Sequence, residues 1–149
     1  MKRIMTAIGL VLLLSSSALQ AGETPVNQKL TDALNHEFSG VSNAHWEKVS
    51  GAYQATFNYM GQRLIAYFSP DGELISTTRF INLNQLPFAV TRNLKEKYPD
   101  IQIQESVLEA VYDSQTFYFI TATDQKKEYI LKASASEGIF IVNKRKLNQ

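Results

Sequence analysis

The chain contains no cysteine, one tryptophan and two histidines in 149 residues. Without cysteine there are no disulfides, no thiol nucleophile and no cysteine-ligated metal. A protein metal site needs three or four converging ligands. His36 and His45 have no His-Glu-x-x-His spacing and no acidic cluster to complete such a set. The Gly-x-Ser-x-Gly elbow, the glycine-rich phosphate loop and the EF-hand loop are also missing. Asp71 and Glu73 flank Gly72, and turn chemistry accounts for both. The sequence therefore reads as a non-enzyme without metal or cofactor. Carboxylate pairs of the glycosidase kind depend on separation in space and stay open at this stage.

Charge of one sign is lacking too. There are 15 Lys and Arg against 14 Asp and Glu, mixed along the chain. Nothing marks a nucleic-acid partner or an anionic membrane surface. The cluster Lys144-Arg145-Lys146 reads as a solvated strand end. The longest apolar run, Ile4 to Leu14, has 11 residues. A membrane-spanning helix needs roughly 20.

That short run is informative in another way. Lys2 and Arg3 precede it, and Ser15 to Ala21 follow with small residues. A basic start, a short apolar centre and small residues before a polar stretch are the parts of a secretory signal. Residues 1–21 are expected to be removed, with cleavage after Ala18 or Ala21. No cysteine stands there to carry a lipid anchor. The expected product is a periplasmic or secreted chain, residues 22–149, with no membrane span. Its length suits one domain with a real core.

Apolar residues at Val26, Leu30, Ala33, Leu34 and Phe38 fall on one helical face. Ser39-Gly40 ends that helix. Tyr53, Ala55, Phe57 and Tyr59 then alternate with polar residues, the period of a half-buried strand. A two-residue Met60-Gly61 turn pairs Phe57 with Leu64, Ala55 with Ala66 and Tyr53 with Phe68. Ser69-Pro70-Asp71-Gly72 makes the next turn. Strict alternation after it puts Leu74, Ser76, Thr78 and Phe80 toward the core, and Ile75, Thr77 and Arg79 on the other face. A second helix carries Leu86, Ala89, Val90, Leu94 and Tyr98, with Pro87 in its first turn and Pro99 after it. Strands follow over Gln102–Ala110, Thr116–Thr123, Glu128–Ala133 and Ile139–Asn143.

The halves match in order. Leu30, Leu34 and Phe38 correspond to Val90, Leu94 and Tyr98, and Asp71-Gly72 corresponds to Glu137-Gly138. The reading is a tandem repeat, about 26–81 and about 83–146, each a helix plus about four antiparallel strands. Two such units sharing a sheet give an α+β fold of roughly eight strands, with both helices on one face. The other face is then open to water. Candidate partner-binding residues on it are Arg63, Ile65, Tyr67, Ile75 and Arg79 from the first half. Tyr118, Ile120, Ile130 and Lys132 are their counterparts in the second half. The stretch Phe117 to Ile120 is apolar at every position, so alternation does not fix its faces. Trp46 reads as a core residue beneath the first helix.

The succession Trp46, Gly51 to Phe57, Ala66 to Leu74, Leu86-Pro87 and Lys97-Tyr98-Pro99 resembles PepSY-like proteins. These are small periplasmic proteins also described as resembling the β-lactamase-inhibitor protein. The resemblance covers nearly the whole of residues 22–149. It implies a tandem helix-plus-sheet fold with a concave sheet facing a partner, and hairpin loops laid over an enzyme's cleft. The chain departs from the β-lactamase inhibitor in having no disulfides and no acidic residue at the Met60-Gly61 tip.

The function expected is a binding or inhibitory module for a protein partner, a peptidase or another envelope hydrolase, acting by steric occlusion. A carrier or sensor of a small apolar ligand and a self-associating structural protein are the alternatives. The first needs an internal cavity, the second an available edge strand such as Ile139–Asn143.

Overall fold

The computed structural model describes residues 26–147. The expected signal segment 1–21 lies outside the described residues. Helix α1 (Gln28–Glu37) is followed by strands β1 (His45–Val49), β2 (Ala52–Tyr59), β3 (Gln62–Phe68) and β4 (Leu74–Asn82). A 3₁₀ turn (Leu83–Gln85) leads to α2 (Phe88–Lys97). Strands β5 (Gln102–Tyr112), β6 (Gln115–Thr123), β7 (Lys127–Ser134) and β8 (Gly138–Lys146) complete the chain. The eight strands form one open antiparallel sheet in sequence order, from β1 to β8.

Local chemistry sets these boundaries. The Asn27 side chain accepts a hydrogen bond from Leu30 N–H at 3.1 Å and caps α1. The helix stops at Phe38, whose N–H still reaches the Leu34 carbonyl at 2.8 Å. Helix α2 ends the same way, with Tyr98 N–H on the Leu94 carbonyl. The β2–β3 hairpin turns on Met60 and Gly61, both at positive φ (50° and 78°), as a type I′ turn requires. Its register pairs Phe57 with Leu64, Ala55 with Ala66 and Tyr53 with Phe68, as expected. Gly72, at φ 82°, lets the β3–β4 turn approach α1 closely. A Cβ there would lie 3.5 Å from the Ala33 side chain.

Two cores lie on one side of the sheet. Leu30 and Leu34 of α1 pack with Trp46, Ala55, Phe57, Ala66 and Phe68. Trp46 is thus core, 5.8 Å from Phe68 between ring centroids. Val90 and Leu94 of α2 pack with Ile81, Val107, Ile120, Leu131 and Ile139, among others. Ala66 of the first core stands opposite Thr77, and Thr77 shares its side of β4 with Arg79 and Ile81. Ile81 opens the second core, so both helices cover the same face.

The strict alternation expected for β4 is broken. Tyr67 pairs with Ser76 and Phe68 with Leu74, so Ile75 is the extra residue of a β-bulge. One added residue moves every later side chain to the other face. Ser76, Thr78 and Phe80 consequently point away from the helices, whereas Thr77 and Arg79 lie on the helix side. Phe80, expected in the core, is 69% exposed.

Candidate functional site

The face not covered by helices is ordered by register into cross-strand rows. One row runs Glu47, Gln54, Tyr67, Ser76 and Tyr112. The next runs His45, Thr56, Ile65, Thr78, Ala110 and Phe117. A third runs Phe80, Leu108, Phe119, Lys132 and Phe140 across β4 to β8. Residues directly opposite on antiparallel strands share a face and stand side by side.

The rows differ in character. The β1–β2 end is polar. Glu47 accepts from Gln54 at 3.4 Å and lies 3.3 Å from the His45 ring nitrogen. Burial pushes the Tyr67 phenol above its ordinary pKa; the Thr78 hydroxyl opposes that shift and Glu47 adds to it. The Thr78 hydroxyl is buried and, among the described residues, its contact with Tyr67 falls short of a hydrogen bond. The centre is apolar. Phe117 is buried although no helix reaches it, because Tyr112 stacks on it (centroids 4.8 Å apart, 23° between planes) and Lys132 covers it. The Lys132 ammonium sits 3.8 Å from the Phe117 centroid, a cation–π contact.

Five of the nine candidate residues stand on this face by register: Arg63, Ile65, Tyr67, Ile130 and Lys132. Ile75 is exposed within the bulge. Three do not belong to it. Ile120 is fully buried among α2 residues, and Tyr118 is 7% exposed in the same core. In β6, Phe117 and Phe119 face outward and Tyr118, Ile120 and Ala122 face the helix, the reverse of the expected assignment. Arg79 lies on the helix side because of the bulge. There its Nε donates to Glu109 at 2.5 Å and its guanidinium also donates to the Gln62 side chain. Tyr118 stands opposite Glu109. Its phenol is raised by burial first and by the Glu109 charge second, with Arg79 opposing. Arg79 and Tyr67 are therefore on opposite sides of the sheet and cannot pair.

Sequence reasoning missed Phe80, Leu108, Tyr112, Phe117 and Phe119 as members of the open face. One signal was available. Reading Asp113-Ser114 as a two-residue turn, which its φ values of 50° and 59° show it to be, pairs Val107 with Ile120 and Ala110 with Phe117. That assigns both faces of β5 and β6 at once.

No protein-family profile matches this chain, and no curated protein matches it in sequence. Solved structures do match in shape. A BLIP-like protein from Bacteroides fragilis superposes with a TM-score of 0.69 at 22% identity, over 86% of this chain and 91% of that one. The fold is BLIP-like. A DUF2874 family protein from Bacteroides uniformis (TM-score 0.68, 14% identity, 82% of this chain and 90% of that one) has the same architecture. So does a candidate periplasmic protein from Bacteroides eggerthii (0.68, 16%, 83% and 90%). In this BLIP-like sheet the side without helices presents aromatic rings and Lys132. Among the described residues no three or more His, Asp or Glu side chains gather as metal ligands. The shifted titratable groups are tyrosines at separate places and Asp124, which is held below its ordinary pKa chiefly by the Tyr129 hydroxyl.

Proposed function

We propose that this chain is an exported, non-catalytic module of PepSY-like, BLIP-like kind, built as a tandem repeat. It binds a protein partner through the open face of its sheet and the adjoining hairpin loops. The observation that carries this reading is the set Phe80, Phe119 and Lys132 on one cross-strand row that no helix covers, with Phe80 69% exposed, Phe119 and Lys132 half-buried, and Leu108 of the same row buried. Exposed aromatic and apolar side chains ringed by polar ones are the usual mark of an interaction surface. The BLIP-like protein among its structural neighbours, the candidate periplasmic neighbour and the signal-like N-terminus support an envelope setting. Binding over a cleft would inhibit a peptidase or other hydrolase by occlusion.

The test is retention of a partner from an envelope extract by the immobilised protein and by a Tyr67→Ala, Phe80→Ser double variant. Both sites are on the open face, and neither belongs to the two helix-packed cores. A partner held by the parent and lost by the folded variant supports the surface. Equal retention by both refutes it.

Self-association through β8 is a second reading with its own observation. Phe140, Ile141 and Val142 are consecutive and exposed on an edge strand. Sedimentation of the protein over a concentration series separates the two readings. A dimer lost on Ile141→Lys favours β8 pairing.

A further inference from the structure

The charges of the open face complement one kind of partner. Lys132 lies in the apolar row itself, and Arg63 stands on the same face two residues along β3 from Ile65. Neither cation has a carboxylate or hydrogen-bonding partner among the described residues. The acidic groups of this face are already engaged. Glu47 is held by His45 and Gln54, and Glu128 lies 2.7 Å from Arg145. The apolar row is thus bracketed by two positive charges that have no carboxylate partner among the described residues, Lys132 resting on the Phe117 ring. Four strand spacings separate β3 from β7, about 19 Å at the usual interstrand distance. Between them the row offers the exposed Phe80 ring and the half-buried Phe119 ring, with Leu108 buried between them.

We propose that the open sheet face recognises an extended acidic–apolar segment of a protein partner, laid across the strands, with apolar side chains on Phe80 and Phe119 and carboxylates on Arg63 and Lys132. An extended chain advances about 3.3 Å per residue, so the two carboxylates are separated by about six residues. Burial of the apolar row supplies affinity, and the two cations select acidic over neutral or basic segments. The proposal rests on the open-face reading above.

The experiment selects random dodecapeptides on a display library against the protein made from its full sequence. Enriched peptides are then measured by fluorescence anisotropy against the parent, Arg63→Glu, Lys132→Met and Phe80→Ser. Arg63 has no ion pair or hydrogen bond to lose among the described residues, so its variant reports chiefly on charge. Lys132→Met keeps an unbranched apolar side chain beside Phe117 and removes the ammonium together with its cation–π contact. Circular dichroism and urea melts check that each variant is folded.

The expected result is enrichment of peptides with two acidic residues flanking apolar ones. Affinity falls about fivefold with each charge variant, as for a surface ion pair, and further with Phe80→Ser. Changing the peptide's acidic residues to lysine should reverse its preference toward Arg63→Glu. Enrichment of neutral or basic peptides that still depend on Phe80 overturns the acidic partner and leaves open-face binding standing. Peptides that ignore Phe80→Ser, or no enrichment, overturn both. Co-sedimentation with phosphatidylglycerol vesicles, lost in Arg63→Glu and without any peptide selection, assigns the cations to a lipid surface and overturns the proposal.

Discussion

Thr78 places a hydroxyl in a buried position without a hydrogen-bond partner among the described residues. It is 2% exposed on β4, between Ile65 and Ala110, and its oxygen makes no hydrogen bond among the described residues. A buried unmade hydrogen bond costs about 1–3 kcal/mol. Valine has nearly the same shape and a higher strand preference. Thr78→Val should therefore raise stability by about 1 kcal/mol, read as a higher urea midpoint at unchanged slope. A lower midpoint would mean that the hydroxyl is satisfied in solution.

Tyr67 makes a second residue-level statement, about alkali. Its folded pKa is raised above the ordinary 10.0, first by burial. The folded protein therefore holds this proton more tightly than the unfolded chain does. The resulting stability is complete below about pH 10 and is lost as pH rises through the folded pKa. Tyr67→Phe removes one source of this loss, so its urea midpoint should fall less between about pH 8 and about pH 10.5 than that of the parent. Tyr118 and Tyr129, shifted the same way, contribute to the slope that remains. Parallel curves for parent and variant would show that Tyr67 titrates normally.

Strands β4 and β5 are the elements that join the two halves. Seven register pairs link them, from Ser76↔Tyr112 to Asn82↔Ser106. On the helix side the junction carries Arg79, Glu109 and Gln62, between the core of α1 and the core of α2. Arg79 is 37% exposed and Glu109 15% at the side chain, so solvent screens the pair only in part. A double-mutant cycle over Arg79→Met and Glu109→Gln should give a coupling of about 1 kcal/mol, at the upper end for exposed pairs. A coupling near zero would assign the junction to the backbone ladder alone.

The same elements show what sequence could and could not reveal. Both helices were legible, because Leu30 and Leu34, and Val90 and Leu94, fall on one helical face and are buried. The β2–β3 register followed from the Met60-Gly61 turn and three apolar pairs that agree with one another. The face of Arg79 was not legible. A bulge at Ile75 depends on how β3 and the β3–β4 turn pack against α1, and alternation within β4 carries no record of it. In β6 both faces are apolar for a physical reason. Phe117 and Phe119 pack among Tyr112, Leu108 and Lys132 on the open side, while Tyr118 and Ile120 serve the α2 core. Period-two reasoning has nothing to work with when a sheet is buried on both sides at its centre.

The whole molecule combines one continuous sheet with two cores that share no buried residue. The sheet favours a single cooperative transition, whereas separate cores favour local opening of either half. Leu30 and Leu94 are each essentially buried, one in each core. Truncating either to alanine should cost about 2–5 kcal/mol. The cost should fall unevenly in native-state hydrogen exchange. Leu30→Ala should speed exchange of β2 and β3 amides, and leave β6 and β7 amides with protection set by the α2 core. Leu94→Ala should do the reverse. The β4–β5 amides, which belong to both halves, should respond to either substitution. Such a pattern makes each helix-plus-strands unit a cooperative unit in its own right, with the central ladder as the joint. It would also leave most of the central row of the open face in place while the first half opens, since Leu108, Phe119 and Lys132 belong to β5, β6 and β7. Equal acceleration across all eight strands by either substitution would instead show that the sheet transmits the loss throughout, and that the two cores stand or fall together.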